Sequence, residues 1–318
     1  MNTTWRNLLS WIVEKRIFVI LIVIFLLAVF FVPYFPTVLN LSNLAVQLSI
    51  DGIVVVGMAI LMVAFGIDLG VGANFALSGI VYALLAQKGL PIPLAALGGV
   101  IAGSLIGLVN GLIVTKLKIH FFIATLATMV IFQGVAVTIS NGEVVYPGVE
   151  GFDWLGRFQI GPIQFPVLVF LLTVLIGHVI LSQTKIGRYW YAIGDNPEAA
   201  KRVGLNVDRI FTSAFIAAGL CAGLAGVIFA ARANSGSPSL GVDTALDAIS
   251  ASVIGGVSLY GGIGSIPGAF AGLLIINILR NSLNLIGVTP YVQYVVRGSI
   301  LIMVVVMDAY FNWRKRSV

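Results

Sequence analysis

The sequence predicts an all-α integral membrane protein: a polytopic bundle of about ten transmembrane helices, with the N- and C-termini both cytoplasmic. Three observations carry this. First, 59% of the 318 residues are hydrophobic and only 9% are charged, where a soluble domain carries roughly 25%; mean hydropathy is +1.07. So few charges build no water-facing surface, and the solvent is therefore the lipid bilayer. Second, proline, which breaks helix interiors, falls at or between long apolar blocks at every site but Pro267. Third, Lys and Arg gather in alternate connections between those blocks, as the positive-inside rule requires of a polytopic chain.

A span needs roughly 20 apolar residues, and the blocks fit that length in order. The first, 17–34, follows Arg6, Lys15 and Arg16. It ends at Pro33-Tyr34-Phe35-Pro36 with no small-x-small cleavage site, so it reads as a retained span and not a signal peptide. The others are 47–65, 72–87, 94–115, 121–139, 165–183, 210–231, 244–258, 266–286 and 291–311. The blocks at 72–87 and 244–258 are short and Gly-rich. The 36 glycines suit membrane helices, whose close approach depends on small residues. Residues 1–318 thus form a single transmembrane domain.

With the N-terminus inside, 13 of the 18 Lys and Arg fall on the cytoplasmic side. They are Arg6, Lys15, Arg16, Lys116, Lys118, Lys185, Arg188, Lys201, Arg202, Arg209, Arg314, Lys315 and Arg316. The longest outer loop, 140–164, holds Glu143, Glu150 and Asp153 against Arg157. Adding or removing one span would spoil this bias. The net charge of +6 is explained by these membrane-flanking residues, so no nucleic-acid partner is expected. Cys221 is the single cysteine, which excludes an internal disulfide. Internal repetition is faint: Gly66 to Gly72 echoes Gly256 to Gly262, and Asn110-Gly111-Leu112 echoes Asn281-Ser282-Leu283.

The chain carries no motor. It has no G-x-x-x-x-G-K-[ST] motif, no HExxH, no paired catalytic carboxylates and no Cys/His cluster. His120 and His178 stand apart and read as packing or interfacial residues. The chain is therefore read as a non-enzyme with no cofactor of its own. Uphill transport would draw on an ion gradient or another subunit.

The cytoplasmic loop 184–209 is the most informative stretch. Its second half is a short helix with its punctuation written out. Asn196 suits the N-cap and Pro197 the first helical position. Glu198 faces the positive end of the dipole, and Lys201 and Arg202 the negative end. Gly204 suits a left-handed C-cap. A helix of about two turns is too short to stand alone in water. Local physics leaves two readings open: a capped turn on the membrane, or a docking helix for a soluble partner.

Glu198-Ala199-Ala200, with Gly204 after three intervening residues, resembles the EAA-x-x-x-G loop of ABC importer permeases. Further segments resemble the ribose/galactose-type sugar permeases, the inner-membrane components of binding-protein-dependent transport. These segments are Gly66 to Gly72, Phe122 to Met129, Tyr191 to Glu198, Leu246 to Ile249, Val253 to Gly256 and Asn284 to Tyr291. The likeness runs from about residue 40 to Asp308. Two positions depart from it: Gly70 stands where the GIDLSVG pattern has Ser, and His120 where Pro usually precedes Phe-Ile. The resemblance implies a multi-pass protein of the cell inner membrane that pairs with a second permease subunit, identical or different. A cytoplasmic ATP-binding subunit, which uses ATP and Mg, docks on Asn196, Pro197, Glu198, Ala199, Ala200 and Gly204. A periplasmic sugar-binding protein delivers a monosaccharide. The same-class alternative is a branched-chain amino-acid or nucleoside permease; the alternative from another class is a gradient-driven secondary transporter.

Polar groups inside spans are costly and face the bundle interior or a cavity. Asn277, Asn281 and Asn284 share one helix face by their spacing. With Asp68, Asn74, Asn110 and Gln133 they are the candidates for a translocation pathway. The competing role is interhelical hydrogen bonding. Arg280 and Arg297 need partners or room to reach the interface, and sequence names no partner for either.

Overall fold

The computed structural model describes residues 16–241 and 243–316. Arg6 and Lys15 of the charge argument lie outside the described residues.

The described chain is helical apart from one small hairpin. Helix α1 covers Arg16–Phe31, α2 Val38–Val63, α3 Val71–Gln87, α4 Ile92–Lys116, α5 Phe121–Ile139, and α6 Trp154–Arg157. Strands β1 (Gln159–Ile160) and β2 (Ile163–Gln164) pair antiparallel around Gly161-Pro162. Then follow α7 Phe165–Gln183, α8 Lys185–Asp195, α9 Pro197–Arg202, α10 Val207–Ala233, α11 Thr244–Ile254, α12 Ile266–Leu285 and α13 Pro290–Arg316. Six of these, α2, α4, α5, α7, α10 and α12, are long and apolar enough to cross a membrane. Three shorter apolar helices, α1, α3 and α11, accompany them. The chain is thus an all-α integral membrane protein, with its helices on the apolar blocks of the sequence.

Three helix limits differ from expectation by four residues or more, one being the end of α13 at Arg316, past 311. Helix α2 starts at Val38, not 47, because Thr37 caps it, its Oγ1 accepting from the Asn40 N–H at 3.4 Å. The polar first turns of α2 hide their helical character from a hydropathy reading. Helix α11 stops at Ile254, short of 258, where Gly255 leads into a run of left-handed glycines at Gly256, Gly261 and Gly262. At the start of α5, His120 takes over the expected proline's place as a cap, its Nδ1 accepting from the Phe122 N–H at 3.3 Å.

Burial sorts the helices. The apolar windows of α2 and α10 are 89% and 72% buried; those of α5 and α7 are 22% buried. Helices α2 and α10 are therefore the interior, and α5 and α7 turn leucine, isoleucine and valine outward, as lipid solvation permits. Helices α3 and α4 pack on α10, and α11, α12 and α7 pack on α2.

The seam between α4 and α10 is built from small residues. Gly99, Gly103, Gly107 and Gly111 recur every four residues, which puts them on one face of α4. They meet Gly219, Gly223 and Thr212 of α10. A Cβ on Gly103 would lie 2.6 Å from the Gly223 Cα, and one on Gly107 would collide with the Phe215 carbonyl. Backbones in such contact are held by van der Waals packing, the main attraction left to helices in lipid.

Candidate functional site

The loop 184–209 folds as two helices in tandem. Helix α9 has the punctuation its sequence implies. The Asn196 Oδ1 accepts from the Ala199 N–H at 2.9 Å, and Pro197 opens the helix. At the other end the Gly204 N–H donates to Lys201 O (3.0 Å) and the Leu205 N–H to Ala200 O (3.1 Å). Gly204 sits at φ +87°, which completes a Schellman stop. Of the helix, Glu198, Ala199, Lys201 and Arg202 are exposed and Ala200 alone is buried. Val203, an apolar side chain, is 78% exposed just beyond it.

Helix α8 makes this presentation rigid, and sequence reasoning missed it as a helix. It is amphipathic: Gly187, Trp190, Ile193 and Gly194 are buried, while Lys185, Arg188 and Tyr189 are exposed. The missed signal is this spacing, obscured by two glycines. The Trp190 indole N–H donates to Ser213 Oγ (3.0 Å) and Ile210 O (3.2 Å) of α10. The Tyr191 hydroxyl donates to Gly264 O at 2.6 Å. Gly194 touches the Val63 carbonyl, where any side chain would collide, and Gly262 N–H donates to that same carbonyl at 2.9 Å. The exposed helix is thereby anchored to the ends of α2 and α10 and to the 255–265 loop.

The seven pathway candidates divide. Asp68 is fully buried; its carboxylate accepts from the Gly70 N–H (2.8 Å) and from Asn110 Nδ2 (3.1 Å). It ties the turn before α3 to α4. Asn74, also fully buried, donates to Gly103 O at 3.0 Å and Gly219 O at 3.4 Å and accepts from Ser78. It sits on the glycine seam and joins α3, α4 and α10. Gln133 Nε2 donates to Pro238 O at 2.6 Å. Asn284 accepts from Gln293 at 2.8 Å. Asn281 and Asn40 exchange amide hydrogen bonds at 2.8 and 3.0 Å, joining α12 to the start of α2. Asn277 is 2% exposed and donates to Leu273 O at 3.3 Å. Its carbonyl oxygen, like that of Asn110, has no hydrogen-bond partner among the described residues.

Beside Asn277 lies a charge cluster whose partners the sequence did not name. Arg280 of α12 forms ion pairs with Asp247 of α11 and, at 3.5 Å, with Asp51 of α2. The three side chains are 17%, 17% and 29% exposed. Such charges persist in a membrane interior only when paired, so three helices are cross-linked at one level. Asp51 is twelve residues from Val63, about 18 Å along the helix axis. The cluster therefore lies well away from the end of the bundle that carries α8 and α9.

The chain matches known transport permeases over most of its length. Residues 40–305 match the family described as the permease component of the branched-chain amino acid transport system. The chain is 38% identical over 303 residues to the ribose import permease protein RbsC of Escherichia coli K12, covering 94% of each. It is 38% identical over 300 residues to that organism's L-arabinose transport system permease protein AraH, covering 94% of this chain and 92% of AraH. Against the galactose/methyl galactoside import permease protein MglC of Salmonella typhimurium it is 35% identical over 333 residues, covering 98% of each.

Proposed function

The chain belongs to the family of permease components of the branched-chain amino acid transport system type, and from that membership we propose that it is the membrane half-pore of an ABC importer for a monosaccharide. In this reading two permease subunits, identical or different, form the pore in the inner membrane. Each is taken to cross it ten times with both ends inside: six crossings fall to the helices long and apolar enough to span, and the rest are assigned to the three shorter apolar helices and α13. A cytoplasmic ATPase consumes ATP and Mg. A periplasmic binding protein hands over the sugar.

The observation that carries the reading is α9. It is a capped helix with a nearly complete exposed face, including Glu198, Ala199 and Val203, fixed to the interior helices through α8. A helix of this length gains by packing against a partner, and its rigid mounting suits the transfer of force to α2 and α10. The surrounding chain shows no nucleotide motif, which fits a motor on a separate subunit. The sugar reading draws on the ribose, arabinose and galactose names of the relatives; the family description itself favours a second reading, a branched-chain amino acid. Asp68, Asn74 and Asn110 hold the bundle in this account, and the pathway runs on the side of α2, α11 and α12, past Asn277, Asn281 and Asn284.

Reconstitution of the chain with its ATPase and binding protein in proteoliposomes tests this. The expected result is ATP-dependent uptake of D-ribose, D-galactose or L-arabinose. ATP-dependent uptake of L-leucine in their place would establish the second reading. Uptake driven by an ion gradient without ATP would overturn both.

A further inference from the structure

The strongest unassigned feature is the cluster of Asp51, Asp247 and Arg280 with the buried amide of Asn277. Two small cavities, of about 10 and about 30 Å³, flank it and share Asp247, Ile276 and Arg280 as a common wall. The first is lined by Asp51, Thr244 and Asn277 as well, the second by Ser250 and Gln293. Such volumes hold a water or two, and no sugar ring. The guanidinium, spanning carboxylates on α2 and α11, acts as a bar across this space.

The donor and acceptor set is unusual for a purely structural tie. A structural bridge needs its charges satisfied and nothing more. Here Asn277 lines the cavity, is 2% exposed, and has a carbonyl oxygen with no hydrogen-bond partner among the described residues. A buried polar atom left so is costly. The smaller cavity is lined by a planar cation, two carboxylates, an amide and Thr244, and the larger one shares that cation and one of the carboxylates and adds Ser250. A carboxylate accepts from two adjacent hydroxyls, and a guanidinium donates to two oxygens at once.

We propose that Arg280, Asp51, Asp247 and Asn277 form a gated binding site for the vicinal hydroxyls of a neutral polyol, closed at rest by the ion pairs of Arg280. When α11 and α12 move apart from α2, these groups exchange their mutual bonds for bonds to the permeant, and Asn277 gains the donor it lacks. The charges are never left bare, because the ligand's hydroxyls replace the ion pairs as they open. The site rests on the sugar-permease reading above and gives it a location.

The test uses the reconstituted transporter, with radiolabelled D-ribose, D-galactose and L-arabinose as probes. Asn277→Leu removes the unpartnered oxygen and keeps the branching of the side chain. Its expected effect is threefold to tenfold slower uptake, the loss of one neutral hydrogen bond, with thermal stability equal or higher. Arg280→Lys keeps the charge and loses the fork; it is expected to change the preference among the three sugars. Asn277→Ser carries the same expectation of slower uptake should the leucine variant not reach the membrane. Wild-type rates and wild-type preference in these variants would overturn the site while leaving the importer reading intact. A wild-type transporter that moves none of the three sugars would overturn the reading, and the site with it.

Discussion

The two sides of the bundle differ in what is added to close helix packing. Along α4 and α10 the contact is glycine on glycine, with Asn74 as the tie across it, and shape decides everything. Around α2, α11 and α12, where Gly255, Gly268 and Gly272 also bring the backbones of α11 and α12 together, charge and hydrogen bonds are added: Arg280 with Asp51 and Asp247, and the Asn40–Asn281 pair. The first kind of contact has one arrangement, because close-packed backbones cannot slide without collision. The second can exchange partners. The difference teaches that the rigid seam is the frame and the polar side is the part built to change.

Substitutions sharpen that contrast, from the largest expected effect downward. Arg280→Leu leaves two carboxylates facing each other away from water, and should cost about 3–5 kcal/mol, read as a fall in the thermal unfolding midpoint of the purified chain. Asp247→Asn added to it should recover part of that loss; strict additivity of the two would break the charge account. On the other side, Gly103→Val introduces no charge, yet should cost about 1–3 kcal/mol by overpacking against Gly223. A mild Gly103 variant would mean the seam is looser than its geometry.

Two smaller effects follow. Gly204→Ala has open space around it, so its cost is purely the left-handed backbone, about 1–2 kcal/mol. It should weaken ATPase docking without lowering the stability of the bundle. Asn74→Leu removes the two amide ties of the seam, to Gly103 O and Gly219 O, and should cost about 1 kcal/mol, at about 0.6 kcal/mol for each hydrogen bond between helices in lipid. A loss as large as that of Arg280→Leu would show that the frame, too, depends on polar contacts.

Much of this was legible in the sequence where the physics is local. Apolar blocks gave helices because lipid leaves the backbone no other choice. The limits of α9 were legible because caps are written in the residues themselves: Asn196, Pro197, Gly204. What escaped depends on residues distant in the chain. The early start of α2 was hidden because Asn40 earns its place by pairing with Asn281. Helix α8 was hidden because its buried face includes Gly187 and Gly194, chosen for contact with Leu181 and Val63. The partners of Arg280 lie 33 and 229 residues away, and nothing local points to them. The stripe Gly99, Gly103, Gly107, Gly111 was in plain view as a four-residue repeat, and composition alone had reduced it to abundance.

The central claim is that this chain is a pore half driven from outside through α9. Glu198→Lys together with Gly204→Pro tests it most directly. The first change reverses the charge on the exposed face, and the second cannot adopt φ +87°. Neither touches the interior. The measurement is ATP-driven sugar uptake by the reconstituted complex, with membrane level and ATPase co-purification followed alongside. The expected result is a normally inserted chain that no longer retains the ATPase and no longer transports. Uptake at the wild-type rate by the doubly substituted chain would contradict the account.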